Sequence, residues 1–387
     1  MKWFFPMALP AILAAALAAD AARAAPGAAQ AADPATAPIK VDVGQIKGAR
    51  FAIANPPVDW NRSLLLIAHG YRPESAPLLA DLHPDRAANR ALLNEGWMIA
   101  TTSYRRNGLI IADAIEDLDA LRAFIAVTYG DPHRVILEGE SMGGEIVTMM
   151  AERDAGPYQG AVAFDATLYA KEPNTGTGLS LLPRIPLLFV ATYHEYKQAN
   201  GYLTALVSRP SPAVPPALFT ISREGHTNIN QPEHLAARRA LIAWVERGRD
   251  ALPSPEENRR YFDATIPVNP GPSVATMHAD NRGFDTWVAE ADAVYGNVLL
   301  QAQDADFDAA GIQIMTYFDF WVNGKAYRTL YGRTFTDVRS GEWVAFPDAD
   351  GHTVLSMNAG DGAATAGLRV GDPVSISAVE ATPPASH

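Results

Sequence analysis

The chain has 387 residues, enough for about two domains, and its 48% hydrophobic and 19% charged residues exclude a wholly disordered protein. Its net charge of −12, with no cluster of basic residues, disfavours nucleic-acid binding, because an acidic surface repels phosphates. The absence of cysteine excludes disulfides, thiolate metal sites and cysteine nucleophiles, so any chemistry must come from serine, histidine, carboxylates or a bound cofactor.

The amino-terminal residues have the pattern of a secretory signal. A basic start at Lys2 is followed by the apolar stretch 3–19 and then by small residues suited to cleavage. We therefore expect residues 1–25 to be a signal peptide, the alternative being an amino-terminal membrane anchor. Residues 26–40 are rich in alanine and proline and are expected to be disordered. The mature protein is then expected in the periplasm or the medium, with no membrane span after signal removal.

Residues 41–250 alternate short apolar runs with helical patterns. Continuous apolar runs such as 64–68 and 186–191 are typical of strands that are buried on both faces of a parallel sheet. The stretch 112–129 instead places its apolar side chains at helical spacing. Strands that alternate with helices indicate βαβ units, so we expect an α/β domain with a mostly parallel sheet and helices on both faces.

The pattern changes after a stretch containing two prolines and two glutamates, and we predict a linker at residues 251–260. From 261 to 384, short apolar runs and turns replace the helical periods. Asn323-Gly324 and Asp350-Gly351 each lie between two such runs and are strong signals for β-hairpins. We therefore predict a second, smaller and mostly β domain at residues 261–384.

A candidate nucleophile lies in the first domain. The apolar run 134–137 leads directly into Gly139–Gly143 (GESMG), after which a helical pattern begins. A G-x-S-x-G pattern between a strand and a helix predicts a nucleophile elbow, a tight turn that presents Ser141. The alternative is an ordinary glycine-rich turn. Because a serine hydroxyl is a poor nucleophile until a base takes its proton, a histidine is required further along the chain.

His226 is the best candidate for that base. It follows the apolar run 217–221, and loops at the carboxyl ends of parallel strands face ligands. An acid must then hold the imidazole, and two carboxylates follow earlier strands. We favour Glu195, because its strand is expected next to the one that precedes His226, and we keep Asp165 as the alternative acid. For all three residues the competing interpretation is a surface side chain without a catalytic role.

Two backbone N–H groups are expected to stabilise an oxyanion. Met142 directly follows the candidate nucleophile at the start of a helix, and Tyr71 lies in the loop after the run 64–68. Arg105 follows another strand and is expected at the same rim, where it would bind a substrate carboxylate or form a surface ion pair. We expect no metal and no cofactor.

These motifs, in the order serine, acid, histidine, resemble the α/β-hydrolase fold across about residues 41–249. Residues 113–144 resemble the prolyl-oligopeptidase-like branch, which contains peptidases and many esterases. The resemblance implies a triad of Ser141, Glu195 and His226 that acts through an acyl-enzyme, although aspartate is commoner than glutamate as the acid. The expected function is therefore an exported carboxylic ester hydrolase, with a serine peptidase of the same branch as the alternative. Its substrate would be a small-molecule ester or a short peptide.

The second domain resembles a different family. Across about residues 284–380 it resembles the carboxyl-terminal β domain of the S-adenosylmethionine hydroxide adenosyltransferases, through the segments 295–298, 331–342, 358–364 and 371–374. In that family the domain helps to hold adenosylmethionine at a subunit interface, and Asn297 and 358–364 are the matching positions. No part of this chain resembles the family's catalytic domain. We therefore expect a structural appendage or one that joins copies into a homo-oligomer, the alternative being a nucleoside or adenosylmethionine binder.

Overall fold

The computed structural model describes residues 37–153, 156–168, 178–207, 214–253 and 261–379. The predicted signal peptide (1–25), most of the predicted disordered segment (26–40) and residues 254–260 of the predicted linker lie outside the described residues. Within these described ranges, no helix is long and apolar enough to cross a membrane.

The first part of the chain forms one large sheet. Its strands are β1 (Val41–Ile46), β2 (Ala49–Ala54), β3 (Ser63–Ala68), β4 (Met98–Thr102), β5 (Arg134–Glu140), β6 (Gly160–Phe164), β7 (Leu187–Thr192), β8 (Ala217–Ile221) and β9 (Tyr261–Asp263). They are ordered β1-β2-β4-β3-β5-β6-β7-β8-β9. The pairs β1–β2 and β2–β4 are antiparallel, and every other pair is parallel. The mostly parallel sheet is thus confirmed.

Helices cover both faces of this sheet. They are α1 (Ala87–Asn94), α2 (Ile111–Thr128), α3 (Met142–Glu152), α4 (Tyr196–Val207) and α5 (Gln231–Arg247), with a 3₁₀ turn at Arg249–Ala251. Successive side chains of a strand point to opposite faces. Leu64 and Leu66 of β3 accordingly pack with α2, α3 and α4, whereas Leu65 packs with α1 and α5. Because both faces are buried, the central strands are mostly apolar, and the predicted α/β architecture is confirmed.

A buried ion pair ties the sheet to the helices on one face. Glu138 of β5 and Arg238 of α5 are both 3% exposed, and two hydrogen bonds of 2.6 Å join them. Arg238 also donates to the side-chain oxygen of Asn89 on α1. Burial by itself would raise the pKa of Glu138, but the Arg238 guanidinium holds it below its ordinary value. The buried carboxylate of Glu138 therefore depends on Arg238 to remain charged.

Replacing Arg238 with methionine is expected to lower the free energy of unfolding by about 3–5 kcal/mol, because it leaves the Glu138 charge buried without its partner. Arg239→Met is the matched control on the same helix. Arg239 pairs with Glu95 at the surface, so its loss should cost about 0–1 kcal/mol. Urea unfolding followed by circular dichroism measures both, and equal losses in the two variants would contradict the importance of the buried pair.

The second part of the chain forms a separate sheet of eight strands. Its elements are β10 (Thr276–Met277), β11 (Gly283–Ala291), β12 (Val298–Leu300), α6 (Asp304–Ala309), β13 (Thr316–Val322), β14 (Lys325–Tyr331), a 3₁₀ turn (Phe335–Asp337), β15 (Trp343–Pro347), β16 (Thr353–Met357), α7 (Gly362–Ala366) and β17 (Pro373–Ala378). The order is β10-β11-β12-β16-β15-β14-β13-β17, and β17 also pairs with β11, which closes the sheet on itself. The smaller, mostly β domain is confirmed.

Local sequence explains the turns and the core of this second sheet. The Asn323-Gly324 turn joins β13 to β14 with both residues at positive φ (50° and 75°), the backbone that a two-residue hairpin of this kind requires. Inside the closed sheet, Phe307 of α6 stacks on Tyr331 with ring centroids 4.4 Å apart and packs edge-on against Phe318. The domain therefore has an aromatic core of its own.

One boundary differs from the prediction. Residues 261–263 were predicted to begin the second domain, but β9 pairs in parallel with β8 at the edge of the first sheet. The first sheet therefore extends to Asp263, and the second sheet begins at Thr276. A strand of three residues is too short for its apolar pattern to show which sheet it joins.

Candidate active site

Ser141 occupies a strained turn between β5 and α3. Its φ of 55° and ψ of −122° lie outside the common regions for a residue with a side chain. Glycine is needed on both sides, because a Cβ at Gly139 would lie 2.1 Å from the Gly143 carbonyl oxygen. A Cβ at Gly143 would likewise lie 2.1 Å from the Ala68 carbonyl oxygen. The segment therefore has the strand–turn–helix geometry of a nucleophile elbow.

The structure brings the three candidate catalytic side chains into one hydrogen-bonded chain. The Nε2 atom of His226 lies 2.8 Å from Ser141 Oγ, and its Nδ1 atom lies 2.8 Å from Glu195 Oε1. Ser141, Glu195 and His226 follow β5, β7 and β8, so the same edge of the parallel sheet presents all three. The hydrogen bond with His226 lowers the pKa of Glu195, and Gln198 donates to the other carboxylate oxygen. Glu195 is thus a carboxylate positioned to orient the imidazole.

Asp165, the alternative acid, has a different position. Its fully buried carboxylate accepts hydrogen bonds from the backbone N–H of Thr192, the Thr192 hydroxyl and the backbone N–H of Thr227. Thr227 directly follows His226 and has a φ of 55°, which is unfavourable for a β-branched residue. Burial raises the pKa of Asp165 to about 7, and the three hydrogen bonds oppose that shift. Asp165 therefore fixes the backbone beside His226, while Glu195 contacts the imidazole itself.

An ion pair also joins the two ends of the loop that carries His226. Arg223, just after β8, donates to both carboxylate oxygens of Glu233 at 2.9 and 3.0 Å. Glu233 also accepts from the backbone N–H of Asn230, whose side chain caps α5. The Asn-x-x-Glu spacing is a capping box, a signal that can be found in the sequence. Residues 223–233 are thus held at both ends as well as by Asp165.

The charges around His226 determine its protonation. Burial by itself lowers the pKa of His226, but the hydrogen bond to Glu195 and the negative charges of Asp165, Glu195 and Glu140 raise it above the ordinary value. The imidazolium therefore persists to higher pH than it does in a free histidine. Only the neutral imidazole can accept a proton from Ser141.

We accordingly expect kcat/KM for ester hydrolysis to rise with pH through an apparent pKa above about 6.5, the ordinary histidine value. Glu195→Gln removes one of the charges that stabilise the imidazolium, so its inflection should move to lower pH. Initial rates across a pH series on a neutral ester measure both curves. A wild-type inflection at or below the ordinary value would contradict the described environment of His226.

The segments that carry the two predicted oxyanion donors flank Ser141. Met142 is the first residue of α3, where backbone N–H groups have no intrahelical acceptor. On the other side, a Cβ at Gly70 would lie 3.3 Å from Ser141 Cβ, so the loop before Tyr71 passes directly beside the candidate nucleophile. The Tyr104 hydroxyl donates a hydrogen bond to the His69 carbonyl oxygen and so restrains this loop. Met142 and the loop that leads to Tyr71 are therefore both adjacent to Ser141.

The structure does not support a substrate-binding role for Arg105. Its side chain makes hydrogen bonds of 2.7–3.2 Å to Asp117 and one of 3.0 Å to Glu116, and it lies 3.7 Å from Asp113. These carboxylates share one side of α2, at the spacing of three and four residues that brings side chains together on a helix. The ion-pair interpretation is therefore the correct one.

In the described part of the chain, no cluster of three or more histidine and acidic side chains could hold a metal ion.

Two contacts at the site come from connecting segments of the second domain. The hydroxyl of Tyr295 donates to the Tyr71 carbonyl oxygen, and Arg333 lies 3.2 Å from Glu224 in the His226 loop. Both pairs join residues more than 100 positions apart. The sequence carries no local signal for such contacts, and they were not predicted.

Comparison with known proteins supports a chain of two unlike parts. Residues 287–375 match the family model of the SAM hydroxide adenosyltransferase C-terminal domain. The match falls within the range in which the sequence resembles that family. The chain thus joins an α/β domain with a mostly parallel sheet to a domain similar to one from the adenosyltransferases. No curated protein sequence matches the chain significantly.

Several solved structures match at low identity. An uncharacterized conserved protein from Thermotoga maritima is 20% identical over 38% of this chain and 49% of its own, with a TM-score of 0.26. A putative dienelactone hydrolase from Klebsiella pneumoniae is 15% identical over 55% of this chain and 100% of its own (TM-score 0.41). An acylaminoacyl peptidase from Pyrococcus horikoshii is 12% identical over 58% of this chain and 44% of its own (TM-score 0.40). The chain therefore spans about half the length of the first and third proteins.

Proposed function

We propose that the protein is a serine hydrolase that cleaves carboxylic esters through an acyl-enzyme. The observation that carries the proposal is the continuous hydrogen-bonded chain from Ser141 Oγ through both ring nitrogens of His226 to Glu195. The nucleophile of this chain lies on a strained elbow, and the base and the acid come from two separate loops. Nucleophile, base and orienting acid in this geometry are the recognised requirement for activating a serine.

The geometry supports the following reaction. Ser141 Oγ attacks the ester carbonyl carbon while its proton passes to His226 Nε2, and Glu195 stabilises the imidazolium through Nδ1–H. The N–H groups of Tyr71 and Met142 stabilise the negative charge that forms on the carbonyl oxygen. The bond from carbon to the leaving oxygen then breaks, and His226 gives its proton to the departing alcohol. Water repeats the sequence on the acyl-enzyme and releases the carboxylic acid.

An ester is favoured over a peptide as substrate. Arg105, the cation that was predicted at the rim to bind a substrate carboxylate, is held by the carboxylates of α2. The site as described therefore lacks the one cation that was predicted to bind a substrate carboxylate, such as the carboxyl terminus of a peptide. An alcohol also leaves more readily than an amine, so hydrolysis of an ester demands less of the same catalytic groups than hydrolysis of a peptide.

Hydrolysis by the purified full chain tests this function. We expect p-nitrophenyl esters of graded acyl length to be turned over with kcat/KM at least about 100-fold above that for aminoacyl p-nitroanilides, a difference of about 2.7 kcal/mol in barrier. The acyl length with the highest kcat/KM would define the acyl preference. A preference for the anilides would make the serine peptidase the correct alternative. The absence of turnover on every substrate would contradict a hydrolase.

Adenosylmethionine binding is not part of this function. The side-chain oxygen of Asn297 accepts a hydrogen bond from Ser356, and the Asn358 amide donates to the Val338 carbonyl oxygen. Asn297 and Asn358, two of the positions that match the adenosyltransferases, therefore make contacts within their own domain. We propose instead that this domain has a structural role. Calorimetry of the full chain with adenosylmethionine should give no binding heat, and a saturable titration would favour the binding alternative.

We also propose that the protein acts after export, on the strength of the basic start and the apolar stretch 3–19. Sequencing of the amino terminus of protein recovered from the periplasm or the medium tests this proposal. A mature chain that begins near residue 26 is expected, and an uncleaved chain held in the membrane would favour the anchor instead.

A further inference from the structure

We propose that the second domain completes the active site, and that its Tyr295 is a positioning residue for the oxyanion loop, residues 69–72. This inference rests on the proposed hydrolase function and deepens it. The hydroxyl of Tyr295 donates a hydrogen bond to the Tyr71 carbonyl oxygen. The acceptor thus belongs to the residue whose own N–H is assigned to the oxyanion.

Fixing this carbonyl also restrains the neighbouring N–H. The two groups lie on either side of one Cα, so only the φ and ψ angles of Tyr71 separate their orientations. Gly70, the preceding residue, has no side chain to restrict its backbone. That lack is required, because a Cβ there would lie 3.2 Å from the Glu140 carbonyl oxygen and 3.3 Å from Ser141 Cβ. A loop that must contain glycine beside the nucleophile depends on contacts with its surroundings for its order, and the Tyr295 hydroxyl supplies one of them.

Tyr295 is itself presented from a rigid turn between β11 and β12. The carboxylate of Asp292 accepts hydrogen bonds from the backbone N–H groups of Val294 and Tyr295 at 2.8 and 3.1 Å. The Gly296 N–H donates to the Asp292 carbonyl oxygen at 3.0 Å, and the Gly296 carbonyl oxygen accepts from Ala363 of α7. Hydrogen bonds within the turn, and one from α7, therefore hold the turn in place, as expected for an element that sets the position of another loop.

The charge of Arg72, in the first domain, acts on the Tyr295 hydroxyl. Arg72 is 5% exposed, and its side chain donates to the Leu79 carbonyl oxygen in the segment between β3 and α1. Partial burial raises the pKa of Tyr295 to about 12, and the positive charge of Arg72 partly opposes the shift. The Tyr295 hydroxyl consequently keeps its proton, and remains a donor, throughout the range in which His226 titrates.

The second domain also contacts the other catalytic loop. Arg333 pairs with Glu224, and the Asn228 side chain lies 3.4 Å from the Pro347 carbonyl oxygen, on either side of His226. Just beyond, the backbone N–H of Gln231 donates to Asp350 at 3.3 Å. The second domain thus touches both the loop of the oxyanion donor and the loop of the base. A domain that served only to join copies of the chain would not need either contact.

Tyr295→Phe in the full chain tests the proposal. Tyr295 is 40% exposed as a residue, so the change removes the hydroxyl without opening a cavity in a core. Removing an oxyanion donor outright costs about 10²- to 10³-fold in kcat. Because Tyr295→Phe only loosens one donor, we expect kcat for a p-nitrophenyl ester to fall about tenfold. KM should stay within about twofold, since the missing interaction forms only in the transition state.

The matched control is Tyr327→Phe. The Tyr327 hydroxyl also contacts a backbone carbonyl, that of Thr365, but within the second domain and at 3.4 Å. This variant should keep wild-type kcat and KM. An alkyl trifluoromethyl ketone, whose adduct with serine carries an oxyanion, should bind Tyr295→Phe about tenfold more weakly, whereas the carboxylate product should bind unchanged.

Each outcome has a definite meaning. If Tyr295→Phe matches Tyr327→Phe in kcat, or if it changes KM alone, the positioning role is wrong while the hydrolase function stands. If both variants lose kcat together with melting temperature, the effect is structural and the proposal is again wrong. If the wild type turns over no ester and shows no Ser141-dependent labelling by a fluorophosphonate, both the function and this inference fail.

Discussion

Replacing Ser141 with alanine is expected to lower kcat for ester hydrolysis by about 10⁴- to 10⁶-fold. The acyl-enzyme cannot form without the hydroxyl, and only the oxyanion donors and binding would then act on the substrate. The fold should be kept, because alanine is no larger than serine and meets the same backbone strain at this φ of 55°. Steady-state rates and thermal unfolding of the purified variant measure the two effects separately.

Ser222→Ala provides the matched control for that loss. Ser222 directly follows β8 and contacts Asp263 at 3.3 Å, so it is a serine at the same edge of the sheet but outside the hydrogen-bonded chain. This variant should keep wild-type rates. If Ser141→Ala were as active as Ser222→Ala, the hydroxyl on the elbow would not be the nucleophile.

Glu195→Gln is expected to lower kcat by about 10³- to 10⁴-fold with the fold intact. An amide can donate to His226 Nδ1, which favours the tautomer that already holds a proton on Nε2 and cannot accept another from Ser141. It also removes the negative charge that stabilises the imidazolium. The Glu195 side chain is partly exposed (17%), so the exchange leaves no buried group without a partner. Steady-state kinetics on a p-nitrophenyl ester measures the loss.

The variant Asp165→Asn distinguishes the role of Asp165 from that of Glu195. Its single remaining oxygen cannot replace both carboxylate oxygens, which accept from Thr192 and Thr227, so we expect a loss of about 1–3 kcal/mol in the free energy of unfolding. The effect on kcat should be much smaller than that of Glu195→Gln, because Asp165 acts on the loop backbone. A stable Asp165→Asn with the larger loss in kcat would reverse the assignment of the acid.

The fold and the elbow could be predicted because both depend on local patterns. Strands buried on two faces are mostly apolar, and the glycines of GESMG are required by contacts of the turn with its immediate surroundings. The meeting of Ser141, Glu195 and His226 also followed from the sequence, since parallel strands present their carboxyl ends at one edge. The motif and the order of strands together were sufficient for these features.

The features of the site that could not be predicted depend on contacts between residues that are far apart in the sequence. Asp165 and Glu195 both follow strands, and only the path of the loops shows that one contacts the Thr227 backbone and the other the imidazole. Tyr295 reaches Tyr71 across 224 positions, and no pattern of apolar residues encodes that contact. Arg105 is a different case. Its three carboxylate partners are spaced on one side of α2, so the ion pair could have been predicted from helical periodicity.

The most direct test of the activated serine is labelling of the purified full chain by a fluorophosphonate, followed by mass spectrometry of its peptides. A serine whose proton is taken by His226 should react once per chain, and the adduct should lie on the peptide that contains Ser141. Labelling should be absent in Ser141→Ala and much slower in His226→Ala, since both lack part of the activating hydrogen bond. An adduct on any other residue, or a wild-type chain that does not react, would contradict the proposed mechanism.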